Sequence, residues 1–209
     1  MSSAINLKAA ADTLKRGTVK LREVASGVMR FAKLERVLAG VCLLIPLLLI
    51  VFDDRVRTSM IRESISAYYN MKQSEVFYFP LTVASMLFVV NGVVKEKRTY
   101  NTILGIMLAG VILFNQDDFS ILHKMCAAAF FLGNVFVILV YSSKREQLWF
   151  KISLAAIIVL ALLAAISFHL WTLFWAEWLS FGIIAYHYIL ESLADHDGVS
   201  QSSERRTNR

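Results

Sequence analysis

Six apolar stretches, most of them about long enough to cross a bilayer, occupy most of residues 37–193. A bilayer core calls for about 20 apolar residues in a helix, with a range of roughly 17–25. Lipid offers no partner to a bare N–H or C=O, so runs of this kind fold as helices. Helices are expected over residues 37–52, 76–94, 100–116, 125–141, 150–168 and 172–193. The third is short. The fifth and sixth are divided only by the turn near His169 to Trp171, which makes them antiparallel neighbours. The expected fold is therefore all-α: an integral membrane bundle of six transmembrane helices.

Composition agrees. The chain is 57% hydrophobic and only 18% charged, whereas a soluble domain is about 45–50% apolar. The 209 residues leave no room for a second folded domain beside six spans. Three segments are expected: a basic arm over 1–36, the transmembrane domain over 37–193 and a polar, disordered tail over 194–209. In the arm, Leu7, Leu14, Leu21 and Val28 recur every seven residues among Lys and Arg. That pattern fits an amphipathic helix lying on an anionic lipid surface. Coiled-coil pairing is the alternative, and Gly17 weakens it. A secretory signal would place its apolar run sooner after the basic region, so the first span reads as uncleaved. Cys42 and Cys126 both fall in apolar runs, as small buried hydrophobes do.

The placement of Lys and Arg sets the expected orientation. They crowd the arm, the loop at Lys95, Lys97 and Arg98, the loop at Lys144 and Arg145, and the tail at Arg205, Arg206 and Arg209. The loop from Asn115 to His123 has Asp117 and Asp118 and neither Lys nor Arg. The first loop mixes both signs. An even number of spans with basic ends gives both termini inside, in a plasma (cytoplasmic, inner) membrane. The net charge of +6 then reflects orientation and contact with membrane lipids, and no nucleic-acid partner is expected.

The polar residues not explained by orientation gather at the outer face. The first loop reads Arg62-Glu-Ser-Ile-Ser-Ala-Tyr-Tyr-Asn70, with two hydroxyls and two phenols beside an Arg–Glu pair. It reads either as a recognition patch or as an interfacial segment with tyrosines at head-group depth. Asp118 and His123 stand five apart, a spacing that matches no specific metal motif. Glu177 lies about a turn and a half inside the last span, where a carboxylate is costly and needs a partner. Its candidate partners are His123, His169 and the tyrosine pair. His187 is deeper and reads as an imidazole hydrogen-bonded between helices. Asn91 and Asn134 are expected to bond across helices. Ala127 to Ala129 with Gly133 form a small-residue surface suited to close packing, and Trp171, Trp175 and Trp178 form an aromatic belt.

Ser64-Ile-Ser-Ala-Tyr-Tyr69, His123 with Ala127, Ala128, Phe130 and Phe131, and Phe174-Trp-x-Glu177 resemble a group of uncharacterised bacterial six-span proteins. That group is similar in turn to the Frag1/DRAM/Sfk1 membrane family. The resemblance covers about residues 36–193. It implies six helices and roles in lipid or GPI-anchor handling or in membrane stress, with no agreed chemistry. That family's Ile-Ser-Asp-x-Gly becomes Ile65-Ser66-Ala67-Tyr68 here, so a role resting on the Asp does not transfer.

Three functions fit these residues. The first is an outward-facing pocket of Ser64, Ser66, Tyr68, Tyr69, His123 and Glu177 that binds a lipid head group or a membrane-protein partner. The second is a metal-dependent lipid hydrolase or transferase with Asp118, His123 and His169 as ligands. The third is a small transporter or proton-coupled channel using Glu177 and His187. The sequence names no cofactor.

Overall fold

A computed structural model describes residues 34–54, 61–94, 98–141 and 148–207, with only the backbone of 194–207. The amphipathic pattern expected over 1–33 lies outside the described residues. Six α-helices follow one another: α1 (Leu34–Phe52), α2 (Glu75–Val94), α3 (Thr99–Leu113), α4 (Ser120–Val140), α5 (Leu148–Ile166) and α6 (Leu173–Thr207). A short 3₁₀ turn, η1 (Ser66–Asn70), lies in the first connection. Among the described residues there is no strand. Five of the helices are long and apolar enough to cross a membrane, and the 15-residue α3 is the shorter sixth.

Each helix packs on its neighbours in sequence, and α6 closes the ring against α1. We call the end with the 61–74, 114–119 and 167–172 connections distal, and the end where α1 begins basal. The core runs down the middle of the ring. Leu38, Ile45, Leu49, Phe77, Phe88, Phe130, Phe174 and Tyr188 are all but fully buried there. Phe88 meets Phe130 and Tyr188 edge to face at 5.4 and 5.5 Å, a geometry the ring quadrupoles favour.

Glycine makes several close seams between helices, among them Gly92 of α2, where a side chain would run into the Thr102 backbone nitrogen of α3. A side chain at Gly105 of α3 would stand 2.7 Å from the Ser85 carbonyl of α2. At Gly133 of α4 it would stand 2.6 Å from Leu104 of α3. Small residues let helix backbones come this close in lipid, where packing replaces the hydrophobic drive. Ser85 Oγ donates to the Gly105 carbonyl at 2.8 Å across the first seam.

The sequence expectation needs correcting in several places. Helix α3 ends at Leu113 because Phe114 turns to extended backbone. Helix α4 starts at Ser120, five residues earlier than expected, so His123 lies within its first turn. Asn134 donates to Phe130 within its own helix at 2.8 Å, and the buried Asn91 amide has no hydrogen-bond partner. The asparagine that does bond to another helix is Asn101, which accepts from the Tyr188 hydroxyl at 2.6 Å. The segment 194–207, expected to be disordered, continues α6 as helix. Its sequence has no proline and one glycine, Gly198, so nothing strong stops a helix already begun.

Candidate functional site

The distal end is organised around residues 62–70. Arg62 is buried and anchors them to the end of α1. Its Nη2 lies 3.1 Å from Asp53 and 2.9 Å from Asp54, and its Nη1 donates to the Ala67 carbonyl at 3.4 Å. The guanidinium also sits 5.6 Å from the Tyr68 ring. The Arg62 partners are thus two aspartates before the loop, not the adjacent Glu63, which turns to the cavity described below. A hydrogen bond with the Asp53 side chain, and then Arg62, hold the Asp54 carboxyl below its ordinary value of 3.8.

A depressed carboxylate stabilises the fold above its unfolded pKa and ceases to do so as pH falls through the folded one. The Asp54 part of the loop anchor is therefore expected to hold at neutral pH and to be lost only below the ordinary aspartate value. Pepsin cleavage near residues 61–65, followed as pH is lowered, checks this. An abrupt rise in cleavage is expected only below pH 3.8.

A cavity of about 990 Å³ opens beside this loop, between α4 and α5. At its distal end it is lined by Glu63, Ser64, Ser66, Gln116, His123, Lys124, His169, Thr172 and Glu177. Toward the middle of the bundle its walls are apolar: Ala127, Ala128, Phe131 and Leu132 of α4 face Val159, Leu162 and Leu163 of α5. Ala127 and Ala128 therefore leave space for the cavity and do not close a helix seam. A second hollow of about 630 Å³ lies along α5 and α6 between Phe150, Trp171, Trp175, Trp178 and Tyr186. No carboxylate, imidazole or hydroxymethyl group lines that one.

Glu177 sits about four residues into α6, roughly 6 Å from its start, and is 7% exposed. Its Oε2 accepts a 2.6 Å hydrogen bond from the Ile65 backbone N–H. The neighbouring Phe174 N–H donates to the Glu63 carbonyl at 2.7 Å. Two backbone bonds thus stitch the first loop to the top of α6. Among the described residues no Lys or Arg pairs with Glu177.

The two serines form a directed chain. The Ala67 N–H donates to Ser64 Oγ at 3.1 Å, and Ser64 and Ser66 hydroxyls lie 3.0 Å apart. Ser66 Oγ donates to Gln116 Oε1 at 3.3 Å. A hydroxyl has one proton to give. Since Ser66 gives its proton to Gln116, Ser64 must give its own to Ser66. The chain ends on the Gln116 amide, whose two N–H groups remain as donors at the cavity wall.

His123 Nδ1 is 2.8 Å from the Phe114 carbonyl, so in the neutral ring Nδ1 carries the proton and Nε2 is an acceptor. His169 has φ 50°, the left-handed conformation that costs a non-glycine residue about 1 kcal/mol or more. It lies in the turn after α5, where the Leu170 N–H reaches back to the Ala164 carbonyl and Trp171 Nε1 to the Ala161 carbonyl. The cost lies in the backbone of the turn that ends α5, and the bonds back to the Ala164 and Ala161 carbonyls hold it there, as at other left-handed helix ends.

Of the six residues expected to share a pocket, Ser64, Ser66, His123 and Glu177 do share one. Tyr68 and Tyr69 do not. Tyr68 is buried against Phe174 at 5.6 Å, and Tyr69 packs on the core. Burial pushes both phenols above their ordinary value of 10, so they are neutral side chains at neutral pH. Sequence reasoning missed Gln116 and Lys124. Gln116 stands in an acidic turn whose Asp118 is held by Asn115 at 3.1 Å. Lys124 follows directly on the loop treated as free of basic residues. Of the metal set, His123 and His169 line the cavity and Asp118 does not. Among the described residues no three His, Cys, Asp or Glu side chains come together as ligands. Glu177 lines the cavity and His187 does not, so the two form no continuous path there.

Helices of this length and apolarity around one amphipathic cleft define a multi-helix membrane protein. The chain belongs to a family of unknown function (DUF7103), whose model matches residues 44–192. No curated protein and no solved structure matches it.

Proposed function

We propose that this is a six-span membrane protein with both termini on the cytoplasmic side of the plasma membrane, and that its distal cleft binds a membrane lipid. The head group occupies the polar end between Ser64, Ser66, Gln116, His123 and Glu177. An acyl chain runs between α4 and α5. The observation that carries this reading is the division of one cavity into a polar distal end and an apolar remainder. Binding sites are mostly apolar hollows of about 300–1,000 Å³ with a few placed polar groups. The orientation rests on the Lys and Arg of the basal loops and on the sequence of 114–119, which has none.

A partner helix is the less suitable occupant. A cylinder about 10 Å across would fill 990 Å³ in roughly 13 Å, little more than two turns. Catalysis is not favoured either. Among the described residues the Ser64 and Ser66 hydroxyls bond to each other and to Gln116, and His123 bonds to the Phe114 carbonyl, so neither serine is paired with an imidazole as a serine nucleophile would be.

Ala128 lines the cleft on α4 and its side chain is exposed there. Ala128→Trp places a ring in the acyl channel without touching the core. Native mass spectrometry of detergent-purified wild type is expected to show a bound lipid, and Ala128→Trp to lose at least about nine-tenths of it. Equal retention by the two proteins would place the lipid elsewhere and end this reading.

A further inference from the structure

The cleft is open to lipid, yet its floor holds a carboxylate that no described cationic side chain pairs with. Glu177 is 7% exposed, takes one hydrogen bond from a backbone N–H, and has no cationic side chain paired with it among the described residues. A buried charge without a partner is strongly disfavoured. The two serine hydroxyls beside it are spent on each other and on Gln116, so what they offer an incoming group is lone pairs. The same cavity has a second acid, Glu63, at its wall. One region of the site therefore consists of acceptors.

The complementary region is made of donors. Lys124 is exposed and lines the cavity from the first turns of α4. The Gln116 amide ends the hydroxyl chain with its N–H groups unspent. An ammonium and an amide suit phosphate oxygens. Acceptors at the floor and donors at the rim call for a ligand with positive and negative charge in one head group.

We infer that the lipid taken by this cleft is an aminophospholipid whose primary ammonium meets Glu177 and whose phosphate meets Lys124 and Gln116. This rests on the lipid reading above and adds the head-group class. A primary ammonium fits better than a quaternary one because it brings three N–H donors to a carboxylate and two serine oxygens. Choline brings the same charge with no donor. A phosphatidylglycerol head group brings hydroxyls but no cation.

The test is native mass spectrometry of the full-length protein after exchange into micelles with equimolar phosphatidylethanolamine, phosphatidylcholine and phosphatidylglycerol. Wild type is expected to retain the ethanolamine lipid about tenfold or more over either competitor, the size of one charge-assisted hydrogen-bonded contact. Glu177→Gln keeps an acceptor for Ile65 and is expected to bring the three lipids to within about threefold. Lys124→Gln, at an exposed position, is expected to lower ethanolamine-lipid retention several-fold. Choline lipid retained as well as ethanolamine lipid by wild type would overturn the head-group assignment while leaving lipid binding in place. So would an unchanged preference in Glu177→Gln. No lipid retained by wild type would overturn the lipid reading itself, and this inference with it.

Discussion

Arg98→Met is expected to lower the melting temperature in detergent by about 6–20 °C. The reason lies at the basal end, where Arg98 joins the start of α3 to both α1 and α6. Its Nη1 donates to Glu35, and its Nη2 lies 3.2 Å from Glu191. Glu35 is 3% exposed and Glu191 5%. The same end holds buried Lys151 within the field of Glu191, and Arg36 Nε donates to Ser192 at 3.0 Å. Removing one member of a buried ion set costs about 3–5 kcal/mol because the remaining charges stay buried. At about 2–4 °C per kcal/mol for a chain of this size, that gives the range stated. The corollary separates charge from packing. Arg98→Met combined with Glu35→Leu and Glu191→Leu is expected to recover at least half of the loss, since buried ion sets are often replaceable by apolar side chains. A single variant that melts with wild type would show that the clamp contributes nothing.

The second large effect is steric. Gly105→Val is expected to destabilise the bundle by about 3 kcal/mol or more. A Cβ there would already stand 2.7 Å from the Ser85 carbonyl, 2.7 Å from Val89 Cγ2 and 2.9 Å from the Val89 backbone nitrogen. Two of these three atoms belong to the α2 backbone and cannot swing aside. Overpacking costs about 1–3 kcal/mol even where side chains can shift. Separating α2 from α3 also breaks the Ser85–Gly105 bond, worth about 1 kcal/mol. Gly40 and Gly182 provide the control, because a Cβ at either meets nothing within 4 Å. Alanine there is expected to be neutral or to raise stability by up to about 1 kcal/mol, through lower entropy of the unfolded chain. Thermal unfolding of the three variants side by side checks the contrast. Equal melting of Gly105→Val and Gly182→Ala would contradict the seam.

These two sites also mark what could be read from the sequence and what could not. Long apolar runs announce helices directly, because burial of the backbone in lipid allows little else. The shortness of α3 and the antiparallel pairing of α5 and α6 follow from run length and turn length alone. Glu177 was visible for a similar reason: a carboxylate inside an apolar run must have a purpose or a partner. Its actual partner was not visible. The donor is the Ile65 backbone N–H, 112 residues away, and backbone groups leave no mark in composition. The tyrosines misled because both are polar by name, yet Tyr68 is buried with its ring against Phe174 and Tyr69 is half-buried against the core. Arg98 reads in the sequence as a loop charge, and its partners Glu35 and Glu191 stand far from it along the chain. Their pairing depends on the ring closing α6 onto α1, a long-range fact. Gly105 and Gly133 differ from Gly40 and Gly182 only through the helix that faces each one.

The cleft between α4 and α5 is the central claim, and photocrosslinking tests it most directly. A phospholipid with a photoactivatable group midway along its acyl chain is incorporated into nanodiscs with the protein, irradiated, and the labelled peptides are sequenced. Label is expected on the cleft faces of α4 and α5, at Ala128, Leu132, Val159 and Leu163, and to fall sharply in Ala128→Trp. Label spread evenly over α2 and α3, with none in the cleft, would contradict a lipid site there.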